Sequence, residues 1–160
     1  MEEVTEPEKS PIVLSSIISE KSLQQYDDLT HKVSTIFEEI TKSNTTDNLV
    51  ALSHIICQYV ATTPCVMGYT LKRDLKNIPH ENLIHHSMSV AIIAAKIAKL
   101  LGYSAAKVQI IVLGALIHDI GKTQLPDYIS NRSGYSPSED QALYQSHFQI
   151  GYDLIKSLGL

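Results

Sequence analysis

The sequence predicts an all-α protein, and three observations carry that reading. Apolar residues recur at three-and-four spacing over long stretches, capping residues bracket those stretches, and no alternating strand pattern of convincing length interrupts them. The opening MEEVTEPEKS is acidic and lacks the basic-then-apolar order of a secretory signal. It is expected to be a disordered, solvated tail. Residues 11–20 (PIVLSSIISE) are apolar but short, and strand, helical turn and packing arm all stay open for them. Residues 1–20 are therefore set apart as a tail or arm.

From Ser22, with Gln25 completing a capping box, Tyr26, Leu29, Val33, Ile36, Phe37 and Ile40 trace one helical face that ends near Lys42. SNTTDN forms a loop. A second face runs through Leu49, Leu52, Ile55, Ile56, Tyr59 and Val60 up to Thr63-Pro64, and a short third helix is expected before Asn77-Ile78-Pro79. Two antiparallel helices cannot bury both their faces alone. Residues 21–79 are thus expected to be a helical lead-in, regulatory in role, docked on residues 80–160.

His80 to Leu101 reads as a long helix with Ile84, Met88, Ala91, Ile92, Ala95, Ile97 and Ala98 inward, closed by Gly102 as a left-handed C-cap. Ser104 caps the next helix, Ala105 to about Ile120, which is apolar almost all round. It is expected to be the central buried helix, with Gly121 as its stop. Pro126 opens a short helical turn, and Ser136-Pro137-Ser138-Glu139 starts a last helix that runs toward Ser157.

The formal net charge of −4 argues against binding to DNA or RNA duplexes, which needs a concentrated field of Lys and Arg. No apolar run reaches the roughly 18 residues that suggest a membrane span. Cys57 and Cys65, eight apart, fit neither zinc-knuckle nor C-x-x-C spacing and are expected to be reduced thiols in a cytoplasmic protein.

His118 and Asp119 stand at the end of the apolar string GALIHDIG, where an ionised carboxylate is costly unless a cation or hydrogen-bond donor neutralises it. The bland alternative has Asp119 accepting backbone N–H bonds while His118 caps the helix. His86, 32 positions earlier, lies on a helix expected to pack against the one that ends in His118, and His147, 28 positions after Asp119, lies one turn beyond Leu143 on the inward face of the last helix. Lys122 comes three residues after Asp119. Histidines from separate helices converging on an His-Asp pair beside a lysine suit metal-assisted attack on a phosphoryl group. His85 points about 100° from His86 and is expected to pack or face solvent. His31, His54 and His80 share no face. Tyr135 is expected to pack rather than stack on a base.

Three strings, HHSMSVAIIAAKIAKLLGYS, GALIHDIGKTQLPDYI and SEDQALYQSHFQIG, resemble in order and spacing the first half of the HD-GYP domain of bacterial cyclic di-GMP phosphodiesterases. The likeness covers about residues 80–160. It implies an HD-domain helical bundle, preceded here by the helical hairpin, with His86, His118 and Asp119 as metal ligands, Asp119 bridging two metals, Lys122 on the scissile phosphate and His147 on the second metal. It also implies a divalent metal centre, iron or manganese, that hydrolyses cyclic di-GMP to pGpG or GMP. Trinuclear members carry Glu where this chain has Asn82, so a binuclear centre is expected. The family's His-His-Glu string, Gly-Tyr-Pro loop and distal Asp ligand are not in the sequence, and GYS at residues 134–136 is not that loop. The chain is accordingly expected to be a fragment or a shortened form, with weak metal binding and little turnover alone. Two alternatives stand beside a cyclic di-GMP phosphodiesterase. One is a non-catalytic HD-superfamily regulatory or binding module, whose lead-in helices offer a surface for a homodimer or another partner, and the other is an HD nucleotidase acting on monophosphates.

Overall fold

A computed structural model of the chain describes residues 19–43, 45, 48–71, 80–130 and 138–159. These residues form α1 (Glu20–Glu38), continued by a π-helical turn Glu39–Ser43, then α2 (Leu49–Thr62), a 3-10 helix Val66–Leu71, α3 (Glu81–Leu100), α4 (Ala105–Ile117), a 3-10 turn Ile120–Gln124, α5 (Asp127–Ser130) and α6 (Ser138–Ser157). No strand occurs among the described residues, so the fold class is all-α, a helical bundle. The N-terminal tail and most of its apolar arm, Asn77-Ile78-Pro79, Tyr135 and the start of the expected Ser136–Glu139 cap lie outside the described residues.

The apolar face of α1 is the expected one, with Tyr26, Leu29, Val33, Ile36, Phe37 and Ile40 all buried. Its start differs from expectation. Ser19, not Ser22, is the N-cap: Ser19 has extended backbone and its Oγ accepts from the Ser22 amide at 3.1 Å, which places Ser22 inside the first turn. Ser19→Ala is expected to cost about 1 kcal/mol, a melting temperature lowered by roughly 2–4 °C in a chain of this size, whereas Ser22→Ala should cost less. Thermal unfolding recorded by circular dichroism checks the order.

The lead-in helices pack against α3 and α4. The rings of Tyr26, Tyr69 and Tyr59 form a chain with centroids 6.2–6.3 Å apart, and Tyr26 also meets the His85 ring of α3 edge-on at 6.1 Å. The Tyr59 hydroxyl donates to the Ser22 carbonyl at 3.0 Å and ties α2 to α1. In α2, Ile55 is exposed although the pattern places it inward, because the buried face of α2 runs through Leu49, Leu52, Ser53, Ile56, Tyr59 and Val60.

α3 and α4 form the most closely packed pair. Ala91, Ala95 and Ala98 are buried on α3 and present little side chain, so the Val108, Val112 and Leu116 ridge of α4 can approach closely. Gly102 ends α3 with φ +74; its amide donates to Lys99 and that of Tyr103 to Ala98, closing a Schellman motif. α3 is long and apolar enough to cross a membrane by length and composition, but its face from Ile84 to Ala98 is buried in the bundle. Ile97 lies on its exposed side, against expectation.

The expectation for α4 is corrected too. It is not buried all round: only Val108, Val112 and Leu116 are buried, and Ile110 is 69% exposed. An apolar sequence marks every side as suited to burial, but α2 and α3 are the neighbours that pack along α4 among the described residues, and they cover one side. The helix also ends at Ile117, before Gly121. Gly121 serves instead to admit α6 against the 120–124 turn.

Candidate metal centre

Five side chains converge where α3, α4, the 120–124 turn and α6 meet. α3 delivers His86 near its N-terminal end, and His118 is the C-cap of α4. Asp119, at φ −110 and ψ 10, lies in the bridge region of backbone conformation that turns the chain from α4 into the 3-10 turn carrying Lys122. α6 supplies His147. The inward face of α6 runs through Tyr144, His147 and Gly151, not through Leu143, which is exposed.

Asp119 is the hub, 5% exposed. Its Oδ2 lies 3.3 Å from His118 Nε2, 3.6 Å from His86 Nε2 and 2.5 Å from Lys122 Nζ, while Oδ1 lies 3.3 Å from His147 Nε2. His86 Nε2 and His118 Nε2 are 3.3 Å apart. All five predicted site residues are therefore brought together. Ligand atoms of His86, His118 and Asp119 fit within 4.8 Å of one another. Metal–ligand distances of about 2.0–2.2 Å put adjacent donors roughly 3.0–3.5 Å apart around one ion, close to the 3.3, 3.3 and 3.6 Å that separate these atoms.

The tautomers sharpen the fit. Carbonyl oxygens only accept, so His118 Nδ1 donates to the Ala115 carbonyl at 2.8 Å and His147 Nδ1 donates to the Tyr144 carbonyl. In the neutral rings Nε2 then carries a lone pair on the carboxylate side. His147 Nε2 is buried and has no hydrogen-bond partner. Lone pairs facing a carboxylate repel one another until a proton or a metal cation lies between them, and backbone fixation of the far nitrogen is how metal-ligating imidazoles are commonly oriented. The bland reading fares poorly on one half: no side-chain cap bond is made by Asp119, although His118 does bond the end of its own helix.

Electrostatics stem from the same contacts. Burial would raise the Asp119 carboxyl, but hydrogen bonds from His118 and Lys122 outweigh it and hold the group well below the usual carboxylate range. His118 is raised, chiefly by its bond to Asp119. His86 is lowered, first by burial and then by His118 beside it, which favours the neutral, ligating form. Lys122 loses to burial and gains more from Asp119, so it is raised and stays charged.

His85 packs against Tyr26 rather than entering the centre, and His31 and His54 are exposed on α1 and α2. Asn82 is exposed, one turn before His86. Two contributors were not anticipated. The Tyr144 ring lies under Lys122 and against His147, and Gly121 lets α6 approach; spacing from His147 was the only sequence signal for the first, and nothing local signalled the second.

Residues 83–160 match the HD domain family. Among curated proteins, the chain is 33% identical over 63 residues to the cyclic di-GMP phosphodiesterase response regulator RpfG of Xanthomonas campestris pv. campestris, covering 39% of this chain and 17% of that protein. It is 27% identical over 70 residues to 3′3′-cGAMP-specific phosphodiesterase 2 of Vibrio cholerae, covering 44% of this chain and 13% of the relative. The matched region thus spans less than a fifth of either relative's length. No solved structure matches the chain at a significant level.

Proposed function

With an HD-type segment over residues 83–160 as the premise, we propose that the chain supplies the metal centre of a phosphodiesterase that hydrolyses cyclic dinucleotides, cyclic di-GMP first among them. The observation that carries this reading is one buried carboxylate approached by imidazoles on both oxygens, with a lysine at its side. His86 and His118 with Asp119 Oδ2 would hold one divalent cation, and His147 with Asp119 Oδ1 a second, so Asp119 would bridge them. An imidazole and carboxylate donor set suits iron or manganese. Exposed Asn82 offers a neutral amide in place of a carboxylate, which supports two cations rather than three. Such cations supply a Lewis acid and acidify bound water.

The chain's own residues do the rest. Lys122, raised and therefore charged, stands where it can meet a phosphate oxygen and offset charge that develops there. The Asp119 carboxyl is held well below the usual carboxylate range, so near neutrality it is ionised and need not shed a proton before accepting a cation. The names of both relatives support a cyclic dinucleotide as substrate, and free Cys57 and Cys65 support a reducing, cytoplasmic setting.

The test is substrate choice. The 160-residue chain, incubated with Mn²⁺ or, anaerobically, Fe²⁺, is expected to convert cyclic di-GMP or 3′3′-cGAMP slowly to linear dinucleotide and to leave nucleoside monophosphates untouched. Release of inorganic phosphate from monophosphates, with cyclic dinucleotides intact, would replace this reading with the nucleotidase one.

A further inference from the structure

Lys122 has a second neighbour that its role as a phosphate contact does not require. Its Nζ lies 5.1 Å from the centroid of the Tyr144 ring while donating to Asp119 Oδ2 at 2.5 Å. The same ring meets His147 edge-on at 5.0 Å, and the Tyr144 carbonyl accepts from His147 Nδ1. Lys122 sits on the 120–124 turn and Tyr144 on α6, so the contact joins the two elements that bring the halves of the centre together.

We propose that Tyr144 is a positioning residue that gives the Lys122 ammonium a seat beside the centre when Asp119 is released to a cation. The inference rests on the metal centre of the proposed function. An ammonium 2.5 Å from Oδ2 competes with a cation for that oxygen, so as Asp119 takes up a cation Lys122 gives up this bond and the ring contact it already makes becomes its main remaining partner. The lysine side chain is only 14% exposed, so little water reaches its charge and an ammonium that leaves Asp119 needs another partner. The electron-rich face of an aromatic ring within about 6 Å is a good one. Held there, the ammonium stays at the mouth of the centre, where a phosphate oxygen arrives, and stops competing for the carboxylate. The edge contact on His147 lets one side chain steady both partners of Asp119.

Two measurements on the 160-residue chain decide the matter. In calorimetric Mn²⁺ titrations, Tyr144→Leu is expected to weaken binding roughly two- to fivefold, the scale of one cation–π contact. The loss should vanish in a K122M background and be smaller in Tyr144→Phe, which keeps the ring and gives up only the hydroxyl that also bonds Lys122. An equal loss in both backgrounds would reduce Tyr144 to packing and overturn the proposal. In NMR spectra of lysine ¹³Cε-labelled protein without metal, the Lys122 ε protons should be shifted upfield by the ring in wild type and Tyr144→Phe and lose that shift in Tyr144→Leu. Unshifted protons in wild type would remove the contact and the proposal with it. If the wild type bound no Mn²⁺, the metal centre itself would fall and take this inference along; normal binding without coupling would sink the inference alone.

Discussion

Asp119→Ala is expected to strip the chain of divalent metal and to lower hydrolysis of cyclic di-GMP about a thousandfold or more. Removing the carboxylate removes the one group that both halves of the centre share, since Oδ2 faces His86 and His118 and Oδ1 faces His147. A metal that polarises a phosphoryl oxygen contributes several kcal/mol to the transition state, and each 1.4 kcal/mol is roughly a factor of ten in rate. Asp119→Asn keeps the shape but loses the charge and should also bind poorly. Metal content by elemental analysis and product by chromatography give the two readouts, and unchanged metal content in Asp119→Ala would take Asp119 off the ligand list.

The same position has a stability signature with a definite sign. The folded-state carboxyl is held well below its usual range, so its ion-pair stabilisation is complete above the unfolded value of about 3.9 and fades as pH falls through the lower folded value. Metal-free Asp119→Asn should therefore be less stable than wild type, with two slopes to the gap. It closes in strong acid as Asp119 protonates. The share carried by His118, raised chiefly by its bond to Asp119, fades as pH rises above the usual imidazole value, leaving the Lys122 share. A gap that stayed open in strong acid would show that the Asp119 carboxylate is not the source of the margin.

The helices were legible because three-and-four spacing and caps are local signals. Gly102 closes α3 as expected, and Ser104 Oγ accepts from the Lys107 amide as an N-cap should. The convergence of His86, His118, Asp119, Lys122 and His147 was legible from an expensive polar pair at the end of a greasy string and from the family-like strings around it. The exposed side of α4 was not, because apolarity reports what a residue tolerates and not which neighbour arrives to cover it. Leu143 misled for a related reason. Hydropathy put it inward, whereas the face of α6 is set by where His147 must meet Asp119 and where a backbone can pass close by. Tyr144 and Gly121 act only across elements that are distant in sequence, so no window along the chain contains their partners.

Gly121 carries the second large effect. Its backbone is not among the positive-φ residues, so conformational freedom is not the reason for glycine here. Space is. A Cβ on Gly121 would run into the His147 carbonyl oxygen and come within 2.7 Å of the Gly151 amide nitrogen and 2.9 Å of the His147 carbonyl carbon, all main-chain atoms of a helix that cannot bend away one residue at a time. Gly121→Ala must therefore push α6 off the 120–124 turn. Overpacking of this kind costs about 3 kcal/mol or more, a melting temperature lowered by roughly 6–12 °C for a chain of this size. Gly151→Ala is the control. Its Cβ would stand 3.3 Å from the Gly121 amide nitrogen, a strain of tenths of an ångström, and alanine gains about 1 kcal/mol of helix propensity in return, so its net effect should be near zero. Because His147 rides on the displaced helix, Gly121→Ala should also weaken the half of the centre at Asp119 Oδ1 while the His86 and His118 half survives, seen as the loss of one step in a metal titration. A wild-type melting temperature for Gly121→Ala would show that α6 does not pack on the turn through this contact, and the placement of His147 beside Asp119 would lose its structural support.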